Sequence, residues 1–273
     1  MKTILVPTDF SKNAQNAIDY AVEVAKRTQS KLILFNVYQL PVSPAEAPIV
    51  YPVDQMEKDI REGLQMIERS IYQKHGNDLK IECRFACGFP AEEIRLASER
   101  TKAGLIVMGM QGTGYLSEKI MGSVTTSLIH HSKCPVLAID NRVKFRNIKK
   151  IALACDYLET DNRSVLAPLK EFAELFHSHI YVLNVIQEQE KMSVSKAAAG
   201  IKLDHSLEGI AHSFHCTDNE DVVEGINSFV NKQNIDMVVM IPRIHTFMHN
   251  LFHEPISKKM AFHTRVPVLA LHE

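Results

Sequence analysis

Four apolar segments recur in the same order in the two halves of the chain. Ile4-Leu-Val-Pro-Thr-Asp9 returns as Ile151-Ala-Leu-Ala-Cys-Asp156, and Leu34-Phe-Asn-Val37 as Val182-Leu-Asn-Val185. Gly104-Leu-Ile-Val-Met108 returns as Asp236-Met-Val-Val-Met240, and Cys134-Pro-Val-Leu-Ala138 as Val266-Pro-Val-Leu-Ala270. The displacement is 147 and 148 residues for the first two pairs and 132 for the last two, so the second half has lost 15 or 16 residues between its second and fourth segments. A conserved order with one deletion is the mark of a tandem duplication. It limits the chain to a fold built twice.

Each segment is too short for most helices and is followed by residues at helical spacing. Lys2 to Thr8 reads as a strand, and Ser11 with Asn13 offers caps for a helix carrying Ala14, Ile18, Ala21, Val22 and Ala25. Lys31 to Val37, Lys80 to Ala86, Gly104 to Met108 and Pro135 to Ile139 read as further strands. Asp54 to Lys74, Pro90 to Arg100 and Glu118 to His131 read as the helices between them. Pro41, Pro44, Pro48 and Pro52 mark a long loop. Strands alternating with helices require right-handed crossovers and a parallel sheet covered on both faces. The expected fold class is therefore α/β, with two tandem doubly wound, Rossmann-like domains at 1–141 and 148–273 joined by the polar, basic stretch Asn141 to Asn147. The two domains are expected to form a pseudo-dimer through their last strands, Pro135 to Ile139 against Pro267 to Leu271, since pairing removes an exposed edge.

Composition narrows the function. A formal net charge of -1 supplies no basic field for nucleic acid. The N-terminus lacks the apolar core of a signal peptide, and no stretch approaches the ~20 apolar residues of a membrane span. Five cysteines, an odd number without Cys-x2-Cys spacing, suit a reducing compartment. No nucleic-acid or membrane partner is expected, and the location expected is cytoplasmic.

Chemistry concentrates between Leu105 and Ser127. An apolar strand is followed by Gly109, Gly112 and Gly114, then by Gly122-Ser123 and an amphipathic run: strand, glycine loop, helix. Glycines let a backbone turn or a ligand approach closely, and a helix N-terminus favours an anion. Phosphate is the candidate; loop glycines serving only as turns are the alternative. The chain contains no Gly-x4-Gly-Lys-Ser/Thr run, and the loop after the first strand, Pro7-Thr8-Asp9-Phe10-Ser11, lacks the Gly-x-Gly-x-x-Gly of a dinucleotide fold.

The spacing Gly109-x2-Gly112-x9-Gly122-Ser123 resembles the nucleotide-binding signature of the universal stress protein family, in its ATP-binding branch. The resemblance implies an adenine nucleotide lying across the strand ends of the first half. Pro7, Thr8 and Asp9 would sit at its ribose and adenine end, with Val37 lining the adenine pocket. Met108, Gly109, Gln111, Gly112, Thr113 and Gly114 would wrap ribose and phosphates, and Gly122, Ser123, Val124 and Thr125 would hold the β- and γ-phosphates. Mg would share the phosphate charge. For Asp9 the alternative is a cap or turn residue before the Ser11 helix. The resemblance also implies an intramolecular pseudo-dimer and leaves room for a homodimer.

The second half keeps the strands but not the signature. At the 132-residue displacement Gly109 becomes Ile241, Gly112 Ile244, Gly122 Glu254 and Ser123 Pro255. It is also rich in histidine: His245-x3-His249-x3-His253 would share one face of a helix and could then hold zinc or another transition metal, with a polar surface as the alternative. No nucleophile, base and orienting group can be named. The expected function is an ATP-binding stress-response sensor or regulator, with slow ATP hydrolysis or a ligand-free dimerising scaffold as alternatives.

Overall fold

The computed structural model describes residues 1–40, 52–111, 121–155, 164–186, 194–242 and 265–272. The first repeat runs β1 (Thr3–Pro7), α1 (Lys12–Thr28), β2 (Lys31–Tyr38), α2 (Val53–His75), β3 (Ile81–Cys87), α3 (Pro90–Thr101), β4 (Leu105–Gly109), α4 (Ser123–His131) and β5 (Val136–Ile139). The second runs β6 (Lys150–Ala154), α5 (Ala167–Phe176), β7 (His179–Ile186), α6 (Val194–Ser206), β8 (His212–Asp218), α7 (Val222–Gln233), β9 (Met237–Met240) and β10 (Val268–Ala270).

The ten strands among the described residues form one sheet in the order β3-β2-β1-β4-β5-β10-β9-β6-β7-β8. Neighbours are parallel within each repeat. At the seam β5 and β10 are antiparallel, with Val268 opposite Ala138, Leu269 opposite Leu137 and Ala270 opposite Val136. The last strands of the two halves therefore pair with each other, as the need to cover two sheet edges required.

The central strands are buried on both faces, which is why they read as unbroken apolar runs. Alternation sends Ile4, Val6, Leu32 and Leu34 to one layer and Leu5, Ile33 and Ile106 to the other. Both layers cross the seam: Leu137 and Leu269 share the first, Ala138 and Val268 the second. The connecting stretch is anchored as well. Asn16 of α1 donates from Nδ2 to the carbonyls of Asp140 and Val143 at 3.0 and 2.9 Å, and its Oδ1 accepts from Lys144 at 2.7 Å. His272, beyond β10, donates from Nε2 to the carbonyl of Ile129 in α4 at 2.7 Å.

One element begins later than its periodicity predicts. The helix expected from Glu118 starts at Ser123, because Gly122 has φ -63° and ψ 148° and Met121 is not helical; residues 118–120 lie outside the described residues. Among the described residues no helix is long and apolar enough to cross a membrane.

Candidate nucleotide site

In an open parallel sheet the crevice forms beyond the carboxyl ends of the strands, where successive connections leave in opposite directions. Here that point is β1, flanked by β2 and β4. A cavity of about 320 Å³ opens there. Its floor is Pro7 and Thr8 of the β1 end, Val37 of β2, and Met108 and Gly109 of β4. Asp9 and Gln111 stand at the loops, and Gly122, Ser123, Val124 and Thr125 close the far side at the start of α4.

The β1 loop is held rigid. The Thr8 amide donates to the Phe35 carbonyl at 2.9 Å, and the Thr8 carbonyl accepts from Asn36 Nδ2 at 2.8 Å. Its Oγ1 accepts from the Phe10 amide at 3.1 Å. Asp9 Oδ1 accepts from the Ser11 amide at 3.0 Å, so this carboxylate does make the turn before α1 while also lining the cavity. Ser11 then caps α1 by accepting from the Ala14 amide at 3.1 Å.

On the opposite side, the Gly122 amide donates to the Met110 carbonyl at 2.7 Å and draws the two ends of the glycine loop together. Buried Thr125 donates its hydroxyl proton to the Gly109 carbonyl at 3.0 Å, tying α4 to the end of β4. Gly122, as the N-cap, has no side chain to accept from the first-turn amides. The first turn of α4 therefore presents N–H groups and the positive end of its dipole to the cavity. No Lys or Arg lines the cavity among the described residues. An anion there would rely on amides, hydroxyls and an accompanying cation.

Gly109 carries a packing constraint besides its place in the cavity floor. Its backbone is not in the left-handed region; instead a Cβ would lie 3.1 Å from both the carbonyl carbon and the oxygen of Asn13. α1 approaches the end of β4 so closely that a side chain here would make Asn13 give by a few tenths of an ångström. Gly109→Ala is expected to destabilise the protein by about 1 kcal/mol through overpacking, read as a lower midpoint in urea; an unchanged midpoint would show that α1 can retreat freely.

Of the residues named from sequence, Gly112, Thr113 and Gly114 lie outside the described residues, as do His245, His249 and His253. The structure adds Ala14, Phe35, Pro90 and Ile94 to the cavity wall. Phe35 was accessible from sequence, since it lies two residues from Val37 on the same face of a strand. Ile94 was not, because its place depends on how α3 packs over β2.

A model of the universal stress protein family matches residues 1–140. Universal stress protein YxiE of Bacillus subtilis is 31% identical over 143 residues, which span 50% of this chain and 97% of that protein. A universal stress protein of Methanocaldococcus jannaschii is also 31% identical over 143 residues, spanning 50% of this chain and 81% of its own. Among solved structures, a universal stress protein from Archaeoglobus fulgidus has the same fold across both repeats: it matches 99% of this chain and 96% of its own, with a TM-score of 0.72 at 20% identity. From the match to its first 140 residues, the chain belongs to the universal stress protein family.

Proposed function

We propose that the first repeat binds ATP and that the chain is a nucleotide-dependent sensor or regulator of the stress response. What supports this reading is one cavity at the strand ends, apolar along Phe35, Val37 and Ile94 and polar toward the first turn of α4. An adenine ring fits the first character and a polyphosphate the second. With no basic residue in the described lining, Mg bound through phosphate oxygens would share the charge. We take 1–141 and 148–273 as the two domains, packed as an intramolecular pseudo-dimer.

The second repeat is expected to leave the nucleotide alone. Ile241 packs against the apolar core at the position equivalent to Gly109. Calorimetric titration of nucleotide-free protein with ATP and Mg should saturate near one ATP per chain. A stoichiometry of two, or none, would refute the assignment. Mass spectrometry of protein purified gently and then denatured should release adenine nucleotide, whereas a ligand-free scaffold would release none.

A further inference from the structure

The far edge of the sheet carries a second cluster that takes no part in the cavity. In the β7–β8 pair Tyr181 stands opposite Ser213 and Leu183 opposite His215. Strand alternation puts His179, Tyr181, Ser213 and His215 on one face. His179 Nε2 and His215 Nε2 each lie 2.8 Å from Ser213 Oγ, so two imidazoles converge on a single hydroxyl. Tyr181 fixes both rings, stacking on His215 at 5.2 Å and meeting His179 edge-on at 4.8 Å. Buried Phe229 backs Tyr181 and His215. All four residues of the cluster are half-buried.

The first repeat supplies the comparison. Ile81 pairs with Leu32 as His212 pairs with Ile180, so Lys31, Glu82 and Arg84 occupy the rungs of His179, Ser213 and His215. There Glu82 is ion-paired with both Lys31 and Arg84, an acid between two cations. Histidines that served only to replace those cations would be matched by a retained acid. The second repeat has a neutral hydroxyl instead.

We propose that His179 and His215 form a binding site for zinc(II), with the Ser213 hydroxyl or solvent completing its shell. Imidazole nitrogen suits zinc and the related late transition metals. Tetrahedral zinc with Zn–N near 2.0–2.1 Å needs its two nitrogens about 3.4 Å apart. Two nitrogens that are each 2.8 Å from one oxygen are separated by no more than twice that distance, so each ring needs to move inward by about 1 Å at most. No group of three or more His, Cys, Asp or Glu is poised for a metal among the described residues. The proposed site therefore has two protein nitrogens and keeps open positions.

The test uses the full chain, freed of nucleotide because ATP itself binds zinc, and carrying His245→Gln, His249→Gln and His253→Gln to remove the other histidine run. Zinc titration of this protein should show one saturable site. Adding His179→Gln or His215→Gln should weaken it by at least about tenfold for each nitrogen lost, since even outer-shell partners of a metal are worth that much. Circular dichroism in chelator checks that the variants fold. Should they not, zinc must still shift the NMR signals of the His179 and His215 rings in the otherwise unaltered chain. Absence of saturable zinc uptake, uptake indifferent to both substitutions, or unmoved ring signals would each overturn the proposal.

Discussion

Gly122→Glu is expected to abolish ATP binding while leaving the fold intact. The two halves of that expectation rest on different observations. Gly122 has φ -63° and ψ 148°, an extended conformation that any residue adopts, so glutamate brings no backbone strain. A carboxylate near a helix N-terminus is even electrostatically favourable to the empty protein. The same carboxylate would occupy the cavity wall where a phosphate is expected. Two unit charges 4 Å apart at an effective dielectric of 20 repel by about 4 kcal/mol, which corresponds to roughly a thousandfold in affinity. The duplication motivates the choice, because Glu254 stands at the equivalent position of the second repeat. Calorimetry should find no measurable heat of ATP binding, with the thermal midpoint near that of the unaltered chain. Undiminished affinity would remove α4 from the site; a lost fold would mean that the loop tolerates no side chain here.

Leu137→Ala should produce the largest change in stability. Leu137 is fully buried, pairs with Leu269 across the seam and with Val107 on its other side, and belongs to the apolar layer that both repeats share. Emptying such a position costs about 2–5 kcal/mol, a large share of the roughly 5–15 kcal/mol that holds a domain folded. Because β5 pairs directly with β10, the loss at Leu137 should reach beyond the first repeat. Hydrogen exchange of β6 and β9 should accelerate along with that of β1 and β4. Leu64→Ala, at a fully buried position of α2 far from the seam in the strand order, should cost a similar amount but leave β6 and β9 protected. A Leu137→Ala variant whose second repeat exchanges as slowly as before would show that the repeats unfold independently.

The repeat and its strands were legible because each central strand is buried on both faces and leaves an unmistakable apolar run, as in Leu105-Ile-Val-Met108. The seam was legible for the same reason, since Val136–Ile139 and Val268–Ala270 would otherwise expose apolar edges. The start of α4 was not. Residues 118–131 carry a helical pattern, but the turn is decided by a backbone bond from Gly122 to Met110, which no side chain announces. The packing constraint on Gly109 was hidden for a related reason: the atoms that crowd the place of a Cβ belong to Asn13, about a hundred residues earlier in the chain. The β8 cluster was equally hidden. His212-Ser-Phe-His-Cys-Thr-Asp218 has histidines at both a buried-face and an open-face register, and only the rung shared with β7 reveals which of them meet.

The seam between β5 and β10 lies within one polypeptide. An interface between two identical subunits is bound by symmetry, so each substitution is written on both sides and a site kept by one subunit is kept by the other. Joining the halves lifts that bond. Tethering also fixes the local concentration of each half around the other at roughly millimolar, whatever the amount of protein in solution. Pairing then needs no help from a strong interface or from abundance. The fused chain can hold a glycine loop on one side and Ile241 and Glu254 on the other, so that asymmetry becomes something selection can act upon.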